Sequence, residues 1–433
     1  MSEKSSARPN APDHVPVEEP ELLDCLRKIG KGLIASGISV GVVENTLTEI
    51  AMIYGFNCEV VALPNVIMIE LGKETRGRVD FTVQQLTTLQ LDQASEIAKV
   101  VDRVMRKILP LAEASRQIDR ILVKPPRFHP AVVILGYFLS CIGLTLLFRP
   151  DLPSLLVTGA MGIVVGLLVL WFQRQPRFNL LLPVIAALVV STLVFQITRQ
   201  GFIYGSANLL IIPLITFLPG ALLTTGMIEL ASMHIISGSA RLIYGGAVLL
   251  LLFIGIAAGL NLSGLPNYHV YAYEAVVFPW WAPWLGTTLF GVGTFIRLSG
   301  ANRDLFWMLL VLYCAMLGQT LGERYFNPYI GAFLGAASMA LSSEIIARSP
   351  QRTPAVVSQI LAFWFLVPGA RGLLSVTSLL SDDLQSAAIG LGEMLMLMIA
   401  ITLGVLLGTL IISPSKFVPI VAANSSLNVQ QGS

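Results

Sequence analysis

Charged residues are scarce in this sequence, and most of its length has very few of them. Aspartate, glutamate, lysine and arginine make up 12% of the 433 residues, whereas hydrophobic residues make up 55%. An ordinary soluble domain has about twice this charged fraction, so the composition excludes a soluble globular protein. More than half of the charged residues lie within residues 1–130. We therefore expect a polar N-terminal domain fused to a membrane domain.

The sequence also lacks the motifs of catalysis, metal binding and nucleic-acid binding. It has no Gly-rich phosphate loop, no HExxH motif and no His-rich metal spacing. Its four cysteines are scattered without the spacing of a metal or disulfide site. A net charge of +2 gives no reason to expect a nucleic-acid partner. We predict a protein that is not an enzyme and that uses no cofactor and no metal.

The N-terminal part has the pattern of a small α+β domain. Residues 1–20 are polar and proline-rich without the apolar core of a secretory signal, so we predict a disordered tail. Residues 21–126 are predicted to form a cytoplasmic domain, with helices at 21–36, 42–54, 93–108 and 112–122 and strands at 59–63, 66–71 and 78–83. We interpret Glu44 and Asn45, on the second of these helices, as solvated polar residues.

From residue 131 onward, the apolar runs approach the length that crosses a bilayer. We predict a polytopic α-helical membrane protein with ten transmembrane helices, at 131–148, 154–172, 179–198, 202–236, 240–262, 276–298, 303–322, 327–347, 353–379 and 385–412. They form two five-helix repeats, 131–262 and 276–412, followed by a C-terminal tail at 413–433. An odd number of helices per repeat inverts the second repeat relative to the first, and inverted repeats place a transporter site near the bilayer midplane.

One stretch of the membrane domain occurs twice. FLPGALLTTGMIEL carries Pro219 and Gly220, and FLVPGARGLLSVTS carries Pro368 and Gly369, 149 positions later. A Pro-Gly pair removes backbone groups from the hydrogen bonding of a helix, and lipid cannot satisfy those groups. Broken helices at matching positions of two halves predict a substrate site between them. The alternative is a tolerated proline kink.

Polar side chains after each break complete the candidate substrate site. Arg371 presents a guanidinium that matches the geometry of a carboxylate, and nearby hydroxyls suit a small zwitterion. The predicted substrate-binding residues are Pro219, Gly220, Thr224, Thr225, Pro368, Gly369, Arg371 and Ser375.

Two carboxyl groups are candidates for proton coupling. Ionisable residues within a bilayer are costly and are therefore functional candidates, and burial favours the protonated form of a carboxyl group. We predict that Glu229 or Glu393 binds and releases the coupled proton. Two structural alternatives stay open. Glu229 and His234 can lie at a cytoplasmic helix end, and Arg371 and Glu393 can form a structural ion pair.

Basic residues in the short loops favour cytoplasmic N- and C-termini. With the N-terminus inside, the inner loops carry Arg174, Arg177, Arg241, Arg297, Arg303, Arg348, Arg352 and Lys416, and the outer loops carry only Arg149, Arg199 and Arg324. Trp280, Trp281 and Trp284 then lie at the outer membrane interface, which indole rings favour. A tryptophan-rich substrate cage is the alternative.

Five stretches resemble the threonine/serine exporter family. GLIASGISVGVVENTLTEIAMIYG, with EVVALPNVIMIEL and LDQASEIAKVVDRVMRKIL, is similar to its cytoplasmic domain. FLPGALLTTGMIELASMHIISGSARLI and FLVPGARGLLSVTSLLSDD resemble the segments after the break in each membrane half. The resemblance covers roughly residues 21–412.

The resemblance implies a ten-helix exporter of threonine and serine in the cell inner membrane, driven by the proton gradient. In split relatives the two halves are separate proteins associated with export of succinate-like dicarboxylates, which gives the alternative substrate class. A membrane sensor with a ligand-binding cytoplasmic domain is a rival from another class. The expected partners are a small-molecule substrate (an amino acid or a dicarboxylate), protons and the lipid bilayer, and homo-oligomerisation stays open.

Overall fold

The computed structural model of the chain describes nine stretches of it. These are residues 18–72, 78–83, 89–148, 151–202, 207–264, 279–349, 352–366, 368–377 and 384–412. The predicted N- and C-terminal tails, 1–20 and 413–433, lie almost entirely outside the described residues.

The N-terminal unit, residues 18–122, combines four helices with a small sheet. Its elements are α1 (Glu19–Ala35), α2 (Val40–Ile53), β1 (Asn57–Leu63), β2 (Val66–Gly72), β3 (Arg78–Val83), α3 (Leu91–Met105) and α4 (Leu111–Leu122). All seven lie within three residues of their predicted bounds. The strands pair antiparallel in the order β1-β2-β3. Alternation along β2 buries Ile67, Ile69 and Leu71 against the helices, as period-two patterning requires.

The membrane unit, residues 130–412, is helical. Its helices are α5 (Pro130–Phe148), α6 (Leu152–Gln173), α7 (Leu182–Arg199), α8 (Ala207–Leu214), α9 (Gly220–Ala231), α10 (Ile235–Ser263), α11 (Ala282–Arg297), α12 (Leu305–Tyr325), α13 (Pro328–Ala347), α14 (Ala355–Leu366), α15 (Pro368–Thr377) and α16 (Leu384–Ile412). A helix therefore occupies each of the ten stretches predicted from the sequence.

The lengths and compositions of these helices identify a polytopic helical membrane protein. Among the described residues, seven helices are long and apolar enough to cross a bilayer, and one bent pair adds an eighth. Helix Ala355–Leu366 is apolar but shorter, at 12 residues, and Ala282–Arg297 has 16 residues. Ten crossings therefore stay a prediction.

The same helix contact recurs in the two halves of the membrane unit. A Cβ at Gly255 on α10 would touch the Val184 carbonyl oxygen and the Ala187 side chain on α7. A Cβ at Gly404 on α16 would touch the Phe333 carbonyl oxygen and the Ala336 side chain on α13. Each residue of the second contact lies 149 positions after its counterpart, the spacing that separates the two Pro-Gly pairs. The duplication read from the sequence is therefore also a duplication of packing.

The first helices of the two halves, α5 and α11, pack directly against each other. Gly136 meets Gly293, and Gly143 meets Gly286, so the register shows that the two helices run antiparallel. Small residues at these crossings let the backbones approach closely. Helices in a bilayer associate in this way because burial of apolar surface provides no driving force there. Buried residues of both halves then form one continuous apolar core.

The N-terminal unit meets the membrane unit at the turn between α11 and α12. The Leu91 amide, at the start of α3, donates to the Leu298 carbonyl (2.9 Å), and the Asp92 amide donates to the Ser299 carbonyl (3.3 Å). Leu91 also packs into an apolar cluster that includes Phe295 and Met308. Two backbone hydrogen bonds and this cluster fix the start of α3 on the membrane unit.

We expect Gly143→Ala to destabilise the protein. The new Cβ would lie 2.6 Å from the Gly286 carbonyl oxygen and 2.8 Å from the Phe290 Cα, both backbone atoms that cannot move aside. Overpacking of this kind costs about 1–3 kcal/mol. The thermal unfolding midpoint of the purified chain in detergent measures the loss.

Gly246→Ala is the matched control for this substitution. Gly246 lies on α10, and a Cβ there would have no atom within 4 Å, so its unfolding midpoint should be unchanged or slightly higher because alanine favours a helix. Equal midpoints for the two variants would contradict the close packing of α5 and α11.

Candidate functional site

The first Pro-Gly pair bends its span sharply. Helix α8 ends at Leu214, a 3-10 turn covers Ile215–Phe217, and α9 begins at Gly220 at an angle of 60° to the segment before the break. Pro219 lacks an N–H to continue the preceding helix, while its carbonyl accepts from the Leu223 amide (2.8 Å) and so begins α9. Both Pro219 and Gly220 are buried. The predicted break is confirmed here.

The second Pro-Gly pair separates α14 from α15, and α15 begins at Pro368, the helix position that tolerates proline best. Helix α15 packs against α8, α9, α10 and α16, and α14 packs against α9. The structure thus brings the two broken helices together, as the duplicated sequence predicts. For Pro368, Gly369 and Arg371 only the backbone is described, so the predicted role of the Arg371 side chain stays a prediction.

The hydroxyl residues of the predicted site differ in their surroundings. Thr224 on α9 is completely buried, and its Oγ1 has no hydrogen-bond partner among the described residues. Thr225 is half-buried. Ser375 on α15 is 3% exposed and lies where α15 meets Gly390 of α16. Buried hydroxyls are normally satisfied, so the Thr224 side chain is available to a polar ligand or a water molecule.

Glu393 lies on α16 beside the face that packs against α15. Gly390 meets Ser375, and Met394 meets Gly372, so the positions three before and one after Glu393 both contact α15. The side chain of Glu393 is half-buried. The Arg371 side chain is not among the described parts of the chain, so an ion pair between Glu393 and Arg371 stays a prediction.

Glu229 joins three elements near the end of α9, which agrees with the helix-end alternative left open by the sequence, and its role in proton coupling stays a prediction. The Arg241 Nε donates to both Glu229 carboxylate oxygens, at 3.1 and 2.9 Å, and the Val40 amide donates to Oε1 at 3.0 Å. Glu229 is 1% exposed and Arg241 is 6% exposed. The carboxylate therefore links α9, α10 and the first turn of α2 in the N-terminal unit, where the positive end of the helix dipole favours it.

A pair of glycines brings Glu229 and Arg241 together. A Cβ at Gly238 would lie 2.6 Å from the Gly226 carbonyl oxygen, so α9 and α10 cross almost backbone to backbone. Met233, with a φ of 66°, turns the chain between them. The sequence interpretation of Arg241 as a loop residue is wrong, since it lies on α10 and is buried.

A second contact between the two units corrects the interpretation of Glu44 as a solvated residue. Its Oε2 lies 2.9 Å from the His234 Nε2, and its Oε1 accepts from the Ala62 amide at 2.8 Å. The space for this contact comes from Gly41, because a Cβ there would lie 2.6 Å from the His234 ring. Asn45, the other residue interpreted as solvated, is half-buried and has an interaction of its own. Together with Glu229, these contacts fasten the N-terminal unit to the end of the first broken helix.

Sequence reasoning missed Arg297. The pattern of basic residues places it in an inner loop, whereas it is the last residue of α11 and is 8% exposed. Its guanidinium carbon lies 4.9 Å from the centroid of the Trp364 ring and 5.5 Å from that of Tyr137, and its Nη1 donates to the Thr216 Oγ1 at 2.8 Å. The available signal was the apolar run FIRL, in which the arginine has hydrophobic neighbours on both sides.

The tryptophan cluster faces away from the protein interior. Trp280 is 83% exposed, and Trp281 and Trp284 are 44% and 45% exposed. The Trp284 ring stacks on Tyr313 at 5.7 Å. Exposed indoles at a helix end fit the predicted interface position rather than a substrate cage.

Two sequence families match successive parts of the chain. Residues 24–263 match the family described as "Putative threonine/serine exporter", and residues 290–411 match "Threonine/Serine exporter, ThrE". The chain belongs to the threonine/serine exporter family. Both descriptions therefore apply to one polypeptide, and the resemblance read from the sequence is confirmed.

Several curated relatives are fungal proteins named "Pheromone-regulated membrane protein 10". The Kluyveromyces lactis protein is 24% identical over 89% of this chain and 43% of its own length. The Saccharomyces cerevisiae protein is 25% identical over 82% of this chain and 47% of its own, and the Debaryomyces hansenii protein is 25% identical over 55% and 24%. The chain thus spans less than half the length of these relatives. No solved structure matches it.

We expect the contact between His234 and Glu44 to weaken as pH rises. The hydrogen bond to Glu44 raises the pKa of His234 above its ordinary value. A raised pKa means that the charged contact is fully present below the ordinary pKa of about 6.5 and is lost as pH rises through the shifted one. Hydrogen exchange at the Val40 amide, corrected for intrinsic rates, should be slow at low pH and faster above neutrality.

Glu44→Gln should remove most of this pH dependence, because the amide cannot pair with the imidazolium. Glu59→Gln is the matched control, since Glu59 is an exposed carboxylate on β1 of the same unit. The idea fails if Val40 exchange in the Glu44 variant retains the pH dependence of the unaltered chain.

Proposed function

We propose that this protein is a secondary active exporter of small polar metabolites, with threonine and serine as its first substrates and the proton gradient as its energy source. The observation that carries the proposal is the contact between the two broken helices, α9 and α15, with the buried hydroxyls of Thr224 and Ser375 on them. Freed backbone groups and buried hydroxyls form a polar surface inside an apolar bundle, which is where transporters bind their substrates. Membership of the threonine/serine exporter family supports the substrate.

The proposed arrangement is an inverted repeat of ten membrane helices in the cell inner membrane, with both termini cytoplasmic. The antiparallel packing of the equivalent helices α5 and α11 supports the inversion, because inverted copies of one helix must run in opposite directions. The excess of basic residues in the predicted inner loops supports the orientation. Pro219, Gly220, Thr225, Pro368, Gly369 and Arg371 complete the proposed cavity lining.

Of the two candidate proton carriers, we favour Glu393. The Glu229 carboxylate receives three hydrogen bonds, two of them from the Arg241 guanidinium and one from the Val40 amide, so it already has a structural role in joining α9, α10 and α2. Glu393 lies beside the face of α16 that meets the second broken helix. A proton bound there would change the charge next to the substrate cavity, which is what coupling requires.

Two alternatives each have an observation in their favour. Export of a dicarboxylate fits a site with arginines near both breaks, Arg297 and Arg371, because each would match one carboxylate. A membrane sensor fits a cleft of about 730 Å³ between the N-terminal unit and the turn before α12, whose lining includes Lys99, Arg103, Arg120 and Arg303. The contact of Glu229 with Val40 would connect such a cleft to the broken helix.

Flux measurements in proteoliposomes test the function. The purified chain should transport labelled serine and threonine, faster when a pH gradient is imposed, because proton movement drives the exchange. Labelled succinate in a parallel assay tests the dicarboxylate alternative, and flux of succinate alone would replace the substrate. Absence of flux for all three compounds would favour the sensor.

Glu393→Gln should abolish the acceleration by a pH gradient while leaving exchange of substrate against substrate at equal pH intact. An amide cannot bind and release the proton, whereas exchange without a gradient does not need it. Glu229→Gln is the comparison variant and should retain its dependence on the gradient. The opposite pair of results would assign proton coupling to Glu229.

A further inference from the structure

Arg297 is a buried cation with no anion beside it. The side chain is 8% exposed, and no carboxylate in the described part of the chain lies within 4 Å of its guanidinium. Its Nε and Nη2 are buried and have no hydrogen-bond partner among the described residues. Buried guanidinium groups are normally paired, because an isolated charge is costly to remove from water. The contrast is Arg241, whose Nε donates to both oxygens of a buried carboxylate.

The guanidinium lies between the two broken helices. Its Nη1 donates to Thr216, three residues before Pro219, and its carbon lies over the ring of Trp364, four residues before Pro368. Arg297 therefore contacts both spans immediately before they break. These contacts come from the Nη1 atom and the face of the group, and the Tyr137 hydroxyl also interacts with the guanidinium. The Nε–Nη2 edge makes no hydrogen bond to the described residues.

That edge has the geometry of a carboxylate receptor. The Nε–H and one Nη2–H point in parallel from the same side of the planar group and can donate to the two oxygens of one carboxylate. The aromatic rings of Trp364 and Tyr137 hold the guanidinium by its face, which restricts its orientation. Thr216 accepts from Nη1 with its hydroxyl oxygen, so its own O–H remains to be donated to a ligand.

We propose that Arg297 is the carboxylate anchor of the substrate site, and that the Nε–Nη2 edge binds the α-carboxylate of the amino acid. This inference rests on the proposed function for the identity of the ligand. It assigns to Arg297 the role that the sequence predicted for Arg371, which lies in the first turn of α15 after the second break. Because Thr216 and Trp364 belong to different broken helices, a ligand bound at this edge contacts both of them at once.

Binding to the purified full-length chain, measured without a membrane gradient, tests the anchor apart from transport. Labelled L-serine should bind, and serinamide, which keeps the amine and the hydroxyl but lacks the carboxylate, should compete at least about tenfold more weakly than serine because it cannot pair with the guanidinium. This comparison uses the unaltered chain, so it does not depend on the folding of any variant. Equal competition by serine and serinamide would overturn the proposal.

Arg297→Lys tests the residue itself. Lysine keeps the charge but loses the two parallel donors, so serine affinity should fall by about tenfold or more. Arg352→Lys is the matched control, because Arg352 also lies over a tryptophan, Trp307 at 4.6 Å, but is exposed. Its affinity should be unchanged, and both variants should elute as single species from a sizing column.

Arg371→Lys tests which of the two arginines, Arg297 or Arg371, binds the carboxylate. Loss of serine binding in the Arg371 variant with retention in the Arg297 variant would overturn the proposal and return the carboxylate to the second break. Binding of succinate but not serine, lost in Arg297→Lys, would keep the anchor and refute serine as substrate. If the unaltered chain binds neither compound, the anchor is refuted, whereas the flux assay still judges the transport function.

Discussion

A bilayer interior offers no hydrogen bonds and no counter-ions, and this constraint decides where the polar groups of the membrane unit lie. Each interrupted backbone and each charged side chain must be covered by another part of the protein. The two breaks are therefore packed against each other and against α10 and α16 rather than against lipid. Glu229 meets the same demand through Arg241 and an amide from outside the bundle. Arg297 is covered only in part, by one hydroxyl and two aromatic faces. Glu229 and Arg241 therefore form a structural ion pair, whereas Arg297 keeps donors that can bind a ligand.

The N-terminal unit is attached at two places that matter to the bundle. Its α2 amide completes the shell around Glu229 at the end of α9, and its α3 amides satisfy carbonyls in the turn that directly follows Arg297. Both contacts use the beginnings of helices, whose backbone donors have no partners within their own helix. A displacement of this unit would therefore expose one buried carboxylate and release the end of the helix that carries Arg297. The N-terminal unit therefore contributes directly to the packing of the membrane unit.

Local sequence signals predicted the elements well and the tertiary pairings poorly. Alternation and turn residues placed β1, β2 and β3 within two residues, and the Pro-Gly pairs located both breaks, because these features depend on neighbours in the chain. Arg297 and Glu44 were misjudged since each lies beside residues far away in sequence, and a basic residue near a helix end resembles a loop residue when only its neighbours are known. The pairing of Glu229 with Arg241 is not predictable from the sequence for the same reason, because the two residues lie on different helices.

The contact between α5 and α11 has a consequence for how such a protein arises. Gly136 faces Gly293 and Gly143 faces Gly286, so each half presents the same small-residue patch to the other in reversed order. This is the arrangement of an isologous dimer interface, in which one surface is complementary to a rotated copy of itself. Two unlinked halves can form such an interface without any covalent connection. The linker between the halves then acts by raising their effective concentration, and the geometry of assembly is encoded in the glycines.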